Sequence, residues 1–354
     1  MSAVTLNARV AARRLDIDLA VAPGTVVALV GPNGAGTSSV LQLVGGQSRP
    51  DTGTVTLDGM MVSGPGVHVP VHRRRVAVLE QRSLLFEHLT VLENAAFGLR
   101  ARGVRAAVAH ARAQAELEAV GCGHLAPARA WEVSGGQAQR IAIARALATD
   151  PRLVLLDEPL AALDVSVAPA IRALLRERIR DEGRTALLVT HDAVDALALA
   201  DELAVLEDGR VFDLGPVADL LARPRTPFVA DLVGVNLLVG VASEPDAITL
   251  PTGERVVGVV EGLLGHGRDA IASFAPASVA VHTAEPTGSP RNHLRSTVLG
   301  VEPRGSLVRL TSELADGSPV AADLTLAASV DGGLVPGREV WLAVKAAQVA
   351  LYPR

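Results

Sequence analysis

The most informative stretch of this sequence is Gly31-Pro32-Asn33-Gly34-Ala35-Gly36-Thr37-Ser38-Ser39. It follows the apolar run Val26-Val27-Ala28-Leu29-Val30 and precedes the largely apolar residues 40–44. This order predicts a strand, a phosphate-binding loop and a helix, because glycines let the backbone approach an anion and the amides at a helix start point toward it. The pattern G-x-x-x-x-G-K-[ST] has lysine after its last glycine, and Thr37 stands at that position.

The composition indicates a folded chain with room for two domains. It has 354 residues, of which 49% are hydrophobic and 20% charged, and this balance differs from that of disordered sequences. The net charge of −5 gives no electrostatic support for nucleic acid as a partner. Residues 1–14 lack the apolar core of a signal peptide, and no apolar stretch of about 18 residues predicts a transmembrane helix. The single cysteine, Cys122, fits a reducing cytoplasm.

Changes of pattern along the chain predict two domains. Over residues 1–228, buried-type strands alternate with helices, which is typical of an α/β fold with a mainly parallel sheet. Alanine-rich helical segments dominate about residues 88–150 and predict a helical subdomain inserted in that core. Residues 235–354 contain short Val-, Leu- and Thr-containing runs separated by Gly and Pro, and they predict a second, β-rich domain.

Segments outside the loop carry residue types suited to nucleotide chemistry. Apolar residues 153–156 lead into Asp157-Glu158, where the first carboxylate suits a hold on Mg²⁺ and the second suits orienting or activating a water. The segment Ser134-Gly135-Gly136-Gln137 opens a helix and predicts a second anion site, made by its amides and the Ser134 hydroxyl. Polar residues also stand at other predicted strand or loop ends: Gln81, Asp164 and His191.

These motifs, in this order, resemble the ATP-binding-cassette (ABC) ATPases. The resemblance covers about residues 4–225 and implies a P-loop NTPase ABC domain with an inserted helical subdomain. Walker A corresponds to residues 31–39, the signature motif to residues 134–137, and Walker B ends at Asp157. The Q-loop glutamine is Gln81, the D-loop ends at Asp164, and the switch histidine is His191.

The resemblance implies ATP and Mg²⁺ as cofactors and assigns roles to these residues. Glu158, His191 and Gln81 are the implied catalytic residues, and Ser38, Gln81 and Asp157 are the implied magnesium site. ATP is expected to contact residues 31–39 of one chain, together with residues 134–137 and Asp164.

The resemblance also implies an assembly. It predicts a head-to-tail homodimer with ATP between the Walker motifs of one subunit and the signature motif of the other. Integral membrane permease subunits would bind it, and an extracytoplasmic oxyanion-binding protein would act through the permease. The chain is therefore expected at the cytoplasmic face of the membrane as a peripheral subunit.

The C-terminal domain resembles the molybdopterin-binding-type (Mop, or TOBE) module, an OB-like β-rich fold. In that family, residues of this kind bind molybdate or tungstate at subunit interfaces. The corresponding candidates are Ser289, Arg291, Ser329 and Lys345, which is the only lysine of the chain. Hydroxyl groups and cations suit a tetrahedral dianion. The alternative to oxyanion binding is a purely structural β-barrel regulatory domain. The alternative to molybdate or tungstate as the solute is sulfate, a polyamine or a sugar.

Thr37 leaves two hypotheses for the activity. In the family, the lysine ammonium bridges phosphates and offsets charge in the transition state, whereas threonine offers a neutral hydroxyl. The first hypothesis is an ATP-hydrolysing importer subunit whose rate is lowered by Thr37. The second is a catalytically weak, nucleotide-binding or oxyanion-sensing regulatory subunit.

The family usually stacks adenine on an aromatic residue before Walker A, but the first aromatic residue here is Phe86. Arg13 or Arg14 is therefore a candidate for stacking.

Overall fold

The strand before the glycine-rich loop lies inside a six-stranded sheet. The structure, a computed structural model, describes residues 3–354. The strands run in the order Arg210–Pro216, Glu202–Glu207, Val26–Val30, Thr185–Val189, Leu153–Asp157 and Val76–Leu79. Neighbours pair in parallel, except that Arg210–Pro216 is antiparallel to its neighbour. The inner strands are buried along most of their length, and the predicted α/β fold with a mainly parallel sheet is confirmed.

Residues up to Leu220 form one compact unit and Leu221–Arg354 form a second. In chain order, the elements up to the end of the first unit are β1 (Val4–Val10), β2 (Leu15–Val21), β3 (Val26–Val30), α1 (Thr37–Gly45), β4 (Thr52–Leu57), β5 (Met60–Gly64), β6 (Val67–His68), β7 (Val76–Leu79), α2 (Val91–Ala101), α3 (Ala106–Ala119), α4 (Gly135–Ala148), β8 (Leu153–Asp157), α5 (Ala168–Leu175), β9 (Thr185–Val189), α6 (Ala193–Leu199), β10 (Glu202–Glu207), β11 (Arg210–Pro216) and α7 (Val217–Ala222).

A second, antiparallel sheet has the order β2-β1-β4-β5-β6. In β1 and β2, buried residues alternate with more exposed ones, which is typical of a sheet with one covered face. The buried face shares one apolar core with β3 and α1. This packing fixes the position of the loop between β3 and α1.

The inserted helices α2, α3 and α4 lie within residues 88–150, where the sequence predicts them. Thr90 and Ser134 begin α2 and α4 as caps, each in a reciprocal capping box with the residue three positions later. The helix that begins as α5 continues as a π-helix over Arg176–Asp181. A one-residue change of hydrogen-bond spacing therefore separates its two halves.

The second unit is β-rich, as the sequence predicts. Its elements are α8 (Pro227–Val233), β12 (Asn236–Glu244), β13 (Ala247–Thr249), β14 (Arg255–Val257), β15 (Val259–Val260), β16 (Asp269–Phe274), β17 (Val279–His282), β18 (Asn292–Arg304), β19 (Leu307–Glu313), β20 (Pro319–Leu324), α9 (Leu326–Asp331), β21 (Glu339–Val344) and β22 (Ala350–Pro353). One sheet has the order β14-β13-β12-β16-β22-β15 and the other β17-β21-β18-β19-β20. Apolar residues of both sheets form one core.

Residues 221–228 belong to the second unit, although the sequence pattern assigns them to the first domain. The Tyr352 hydroxyl donates a hydrogen bond of 2.8 Å to the carbonyl of Pro224, and Arg223 pairs with Glu261 at 2.9 Å. These contacts attach the segment to strands that lie far along the sequence.

Among the described residues, no helix combines the length and the apolar character needed to cross a membrane.

Candidate nucleotide-binding site

The glycine-rich loop depends on glycine for steric reasons. Gly36 has φ of 103°, a conformation that side chains rarely adopt, and a Cβ at this position would collide with the Leu15 side chain. A Cβ at Gly31 would collide with the carbonyl oxygen of Leu206. The loop is therefore held between β2 and the end of β10, with its backbone free of side chains at these two points.

The start of α1 has the features of an anion-binding helix end. Gly36 occupies the cap position and has no side chain to bond the amides that follow. The first turn contains Thr37, Ser38 and Ser39, and no acidic residue is among them. Free amides, hydroxyl groups and the positive end of the helix dipole favour a phosphate at this position.

Ser38 and Asp157 face one another beside this helix start. The Ser38 hydroxyl donates a hydrogen bond of 3.2 Å to Oδ1 of Asp157, which ends β8. Burial raises the pKa of the Asp157 carboxyl above its ordinary value, the hydrogen bond from Ser38 opposes the shift, and the charge of Glu158 adds to it. A half-buried carboxylate with an acidic neighbour and a facing hydroxyl is a donor set that fits Mg²⁺, a cation that prefers oxygen ligands.

Glu158 lies at the centre of the polar residues that follow the strands. Its Oε2 accepts a hydrogen bond of 3.0 Å from Nε2 of Gln81, and its Oε1 lies 3.0 Å from Nε2 of His191. These residues follow β7, β8 and β9, whose carboxyl ends meet at one edge of the parallel sheet. Glu158 has φ of 48° and its amide donates to the carbonyl of Val189, so its backbone holds an uncommon conformation there.

The segment 134–137 begins α4 in the helical subdomain. Ser134 Oγ accepts a hydrogen bond of 3.3 Å from the amide of Gln137, whose Oε1 accepts one of 2.8 Å from the amide of Ser134. Ser134 and Gly135 are exposed, and a Cβ at Gly136 would lie 3.4 Å from the carbonyl oxygen of Ala162. The segment thus lies beside the loop that leads to Asp164, whose carbonyl accepts from the amides of Val167 and Ala168.

A buried polar residue that the sequence patterns do not single out connects these motifs. Gln139 of α4 is fully buried, and its Nε2 donates a hydrogen bond of 3.0 Å to the carbonyl of Pro159, next to Glu158. Its Oε1 accepts from the Ser83 hydroxyl, two residues after Gln81. A polar residue inside an otherwise apolar helix face is the only local signal that marks Gln139. It joins the helical subdomain to both the Q-loop and the acidic pair.

The candidate oxyanion residues lie at two separate places within the chain. Asn292 of β18 pairs with Val344 of β21, so the flanking residues Arg291 and Lys345 lie at one end of this sheet, and Ser289 precedes them. Ser329 lies in α9, and the loop after α9 bonds through Gly337 to Val298, six residues along β18. Arg291 and Lys345 are therefore neighbours, and Ser329 lies on a different element.

Comparison with known proteins gives the family. The profile of the ABC transporter family matches residues 15–161, and that of the TOBE domain matches residues 288–351. The molybdenum import ATP-binding protein ModC of Mycobacterium tuberculosis is 42% identical over 361 residues, covering 100% of this chain and 98% of the relative. The chain belongs to the ATP-binding proteins of ABC transporters.

Other relatives of this ABC protein differ in the solute that their names give. The sulfate/thiosulfate import protein CysA of Mycolicibacterium paratuberculosis is 38% identical, covering 87% of this chain and 78% of the relative. The spermidine/putrescine import protein PotA of Frankia alni is 34% identical, covering 92% of this chain and 72% of the relative. The solved ATP-binding cassette MJ0796, a dimer bound to ADP and Pi, is 30% identical with a TM-score of 0.54, covering 58% of this chain and 90% of that one. The predicted fold class, an ABC domain followed by a TOBE domain, is confirmed.

Proposed function

We propose that this ABC protein is the ATP-hydrolysing subunit of an importer of molybdate or tungstate. The observation that carries the proposal is the arrangement of Glu158 between Gln81 and His191, next to the Ser38–Asp157 pair and the glycine-rich loop. In this arrangement a carboxylate, a hydrogen-bonding amide and an imidazole surround the place where the terminal phosphate of ATP would lie.

The residues can divide the hydrolysis between them. The loop and the start of α1 would bind the phosphates of ATP, and Glu158 would orient a water and accept its proton as the water oxygen attacks the terminal phosphorus. The bond from that phosphorus to the bridging oxygen breaks, and ADP and phosphate are the products. His191 and Gln81 keep the carboxylate in place through its two oxygens. Mg²⁺, held by Ser38, Asp157 and Gln81, would supply positive charge to the phosphates.

A second copy of the chain completes the site in this proposal. The segment 134–137 is partly exposed and presents a helix start, which is suited to bind the phosphates of ATP held by another subunit. We propose a head-to-tail homodimer, bound to permease subunits at the cytoplasmic face of the membrane. An extracytoplasmic oxyanion-binding protein would deliver the solute to the permease.

The choice of molybdate or tungstate is supported by likeness to ModC along the whole chain and by the cations of the TOBE domain. Arg291 and Lys345 at one end of the sheet, and Ser329 of α9, are proposed to contribute to oxyanion sites that form between two copies. An importer of sulfate or a polyamine remains the alternative, because relatives with those names also match most of the chain.

Glu158→Gln is the variant that tests the hydrolytic role. We expect the steady-state ATPase rate to fall by about 10²–10⁴-fold, the usual contribution of a general base. Glu118→Gln is the control, since Glu118 is an exposed carboxylate of α3 that accepts a hydrogen bond from Gln114. An ATPase rate unchanged by Glu158→Gln would exclude this mechanism.

Calorimetric titration of the full chain with molybdate, tungstate and sulfate tests the solute. We expect binding of the first two, weakened by Arg291→Gln and retained in Arg295→Gln, because Arg295 is paired with Glu339 at 2.6 Å. Binding of sulfate alone, or of none of the three, would favour an importer of another solute.

A further inference from the structure

We propose that Arg13 binds the phosphate chain of the nucleotide and supplies the positive charge that Thr37 does not. The inference rests on the proposed ATP site, and it assigns a function to a residue outside the sequence motifs of that site. Arg13 is the last residue of a short 3₁₀-helix, Ala11–Arg13, between β1 and β2.

Arg13 reaches the first turn of α1. Its Nη1 donates a hydrogen bond of 2.8 Å to the Ser39 hydroxyl and one of 2.6 Å to Oε1 of Gln42. Ser39 follows Ser38 directly, and the two hydroxyl groups therefore stand on the same turn as the amides that would receive the phosphates. The guanidinium therefore contacts the helix whose first amides are the predicted phosphate site.

The backbone of this segment is fixed against the loop. Leu15, two residues after Arg13, is buried and lies so close to Gly36 that a Cβ there would collide with its side chain. The amide of Asp16 donates a hydrogen bond of 2.8 Å to the carbonyl of Gly209, at the turn between β10 and β11. Arg13 is thus carried by an anchored segment, and its short distance to α1 does not depend on a long mobile loop.

The electrostatics of this position favour an anionic ligand. A cation at the positive end of a helix is unfavourable unless negative charge is present. Both hydrogen-bond partners of Arg13 on α1 are neutral, and the first turn of α1 contains no acidic residue. Phosphate oxygens would relieve this repulsion, and a guanidinium binds them by charge-assisted hydrogen bonds. This assignment replaces stacking on adenine as the role of Arg13.

Binding of a non-hydrolysable ATP analogue in the presence of Mg²⁺ tests the inference. We expect Arg13→Gln to weaken binding about ten-fold or more, since a hydrogen bond to a charged group is lost. Arg13→Lys keeps the charge and should retain most of the affinity. The control is Arg210→Gln, which removes an equal charge from an exposed side chain whose partner Asp16 keeps Arg9. Because Arg13 is exposed, salt should screen its charge. The difference in analogue affinity between the unaltered chain and Arg13→Gln should therefore be smaller at high salt.

Two probes separate phosphate binding from adenine binding. Displacement of the analogue by inorganic tripolyphosphate should weaken in Arg13→Gln, and displacement by adenosine should not change. A loss confined to adenosine, or equal affinities of Arg13→Gln and Arg210→Gln for the analogue, would overturn the role of Arg13 and leave the ATP site intact. If the unaltered chain itself binds no nucleotide, the proposed function fails and this inference fails with it.

Discussion

Thr37 gives the loop a hydroxyl group where the P-loop pattern has the ammonium group of a lysine. The structure retains the other parts of the site, because the helix start, the Ser38–Asp157 pair and the contacts of Glu158 are all present. The fold therefore does not depend on a lysine in this loop. We expect Thr37 to lower the rate of hydrolysis, because its neutral hydroxyl offsets less transition-state charge than an ammonium group at that position, and the role proposed for Arg13 is in binding the phosphate chain.

Thr37→Lys is expected to raise the steady-state ATPase rate by about 10²–10³-fold, the usual size of a transition-state electrostatic contact. ATP affinity should rise less, since the amides of the loop bind phosphate in both proteins. The assay compares both proteins with the permease present, and Thr37→Arg is an informative control because it adds charge with a different shape. Equal rates of the two proteins would contradict the assigned effect of Thr37.

Asp157→Asn is expected to stabilise the protein in the absence of nucleotide. Burial raises the pKa of Asp157 in the folded chain, so the folded state binds protons more tightly than the unfolded state. Stability is therefore lost as pH rises from the ordinary carboxyl pKa through the raised one, and the variant escapes this loss. Thermal unfolding should show a higher Tm for the variant at pH 7, with the difference shrinking toward pH 4.

The same substitution should weaken the stabilisation by Mg²⁺ and nucleotide, since a magnesium ligand is removed. Asp18→Asn is the control, because Asp18 lies on the exposed face of β2. A variant that is less stable than the original chain at pH 7 would show that Asp157 contributes more through its bond to Ser38 than it costs through burial.

At the scale of elements, Ser134 at the start of α4 is assigned two roles. Ser134 caps the helix because its hydroxyl oxygen accepts a hydrogen bond from the amide of Gln137. The same exposed hydroxyl is proposed to contact the nucleotide bound to a second subunit. A helix cap needs a hydrogen-bond acceptor, and the nucleotide needs a neutral donor near its phosphates. Substitutions can separate these demands, because some side chains meet only one of them.

Ser134→Ala is expected to lower the free energy of unfolding by about 1 kcal/mol, the usual cost of a lost cap. Ser134→Asp keeps a good cap and places negative charge beside the phosphates, so stability should be retained and ATP hydrolysis lost. Denaturant unfolding and ATPase assays of both variants check this. If the two variants lose activity only in proportion to stability, the segment has no direct contact with the nucleotide.

Local sequence patterns predict some elements well and others poorly. The apolar runs before the loop and before Asp157 predict β3 and β8 because parallel strands are covered on both faces. The π-helix after α5 has no such signal, since Ile171, Leu175 and Ile179 are spaced as in an α-helix. The contact of Arg13 with Ser39 joins residues 26 positions apart, and no periodic pattern specifies the direction of an exposed arginine.

At the scale of the whole molecule, the division between the units depends on contacts distant in sequence. The sequence pattern breaks around residues 222–228 and places the end of the first domain at residue 228, whereas the compact units divide at Leu220. The place of residues 221–228 is set by Tyr352, which is buried and bonds to Pro224, and the pKa of Tyr352 is raised to about 12, mainly by burial. Sequence patterns reflect local changes of composition. They do not predict a single hydrogen bond between two residues that are far apart in the sequence.

Tyr352→Phe is expected to lower the free energy of unfolding of the second unit by about 1–2 kcal/mol, because the Pro224 carbonyl loses its donor. Hydrogen exchange of residues 225–228 should become faster, and exchange of the strands of the first unit should stay the same. The phenylalanine ring fills nearly the same volume as the tyrosine ring, so a change spread through the whole chain would point to a packing effect and contradict the assigned role of the hydroxyl.

The isolation of Lys345 makes the chain chemically addressable. Its side chain is exposed after β21, and the sequence offers amine-reactive reagents no other lysine. Cys122 is buried and carries a thiol, which reacts with different reagents from the amine of Lys345. Thiol reagents and amine reagents would therefore label different parts of the molecule. A fluorophore attached through Lys345 would therefore mark the TOBE domain at one lysine, and protection of this amine by molybdate would provide a footprint of the anion.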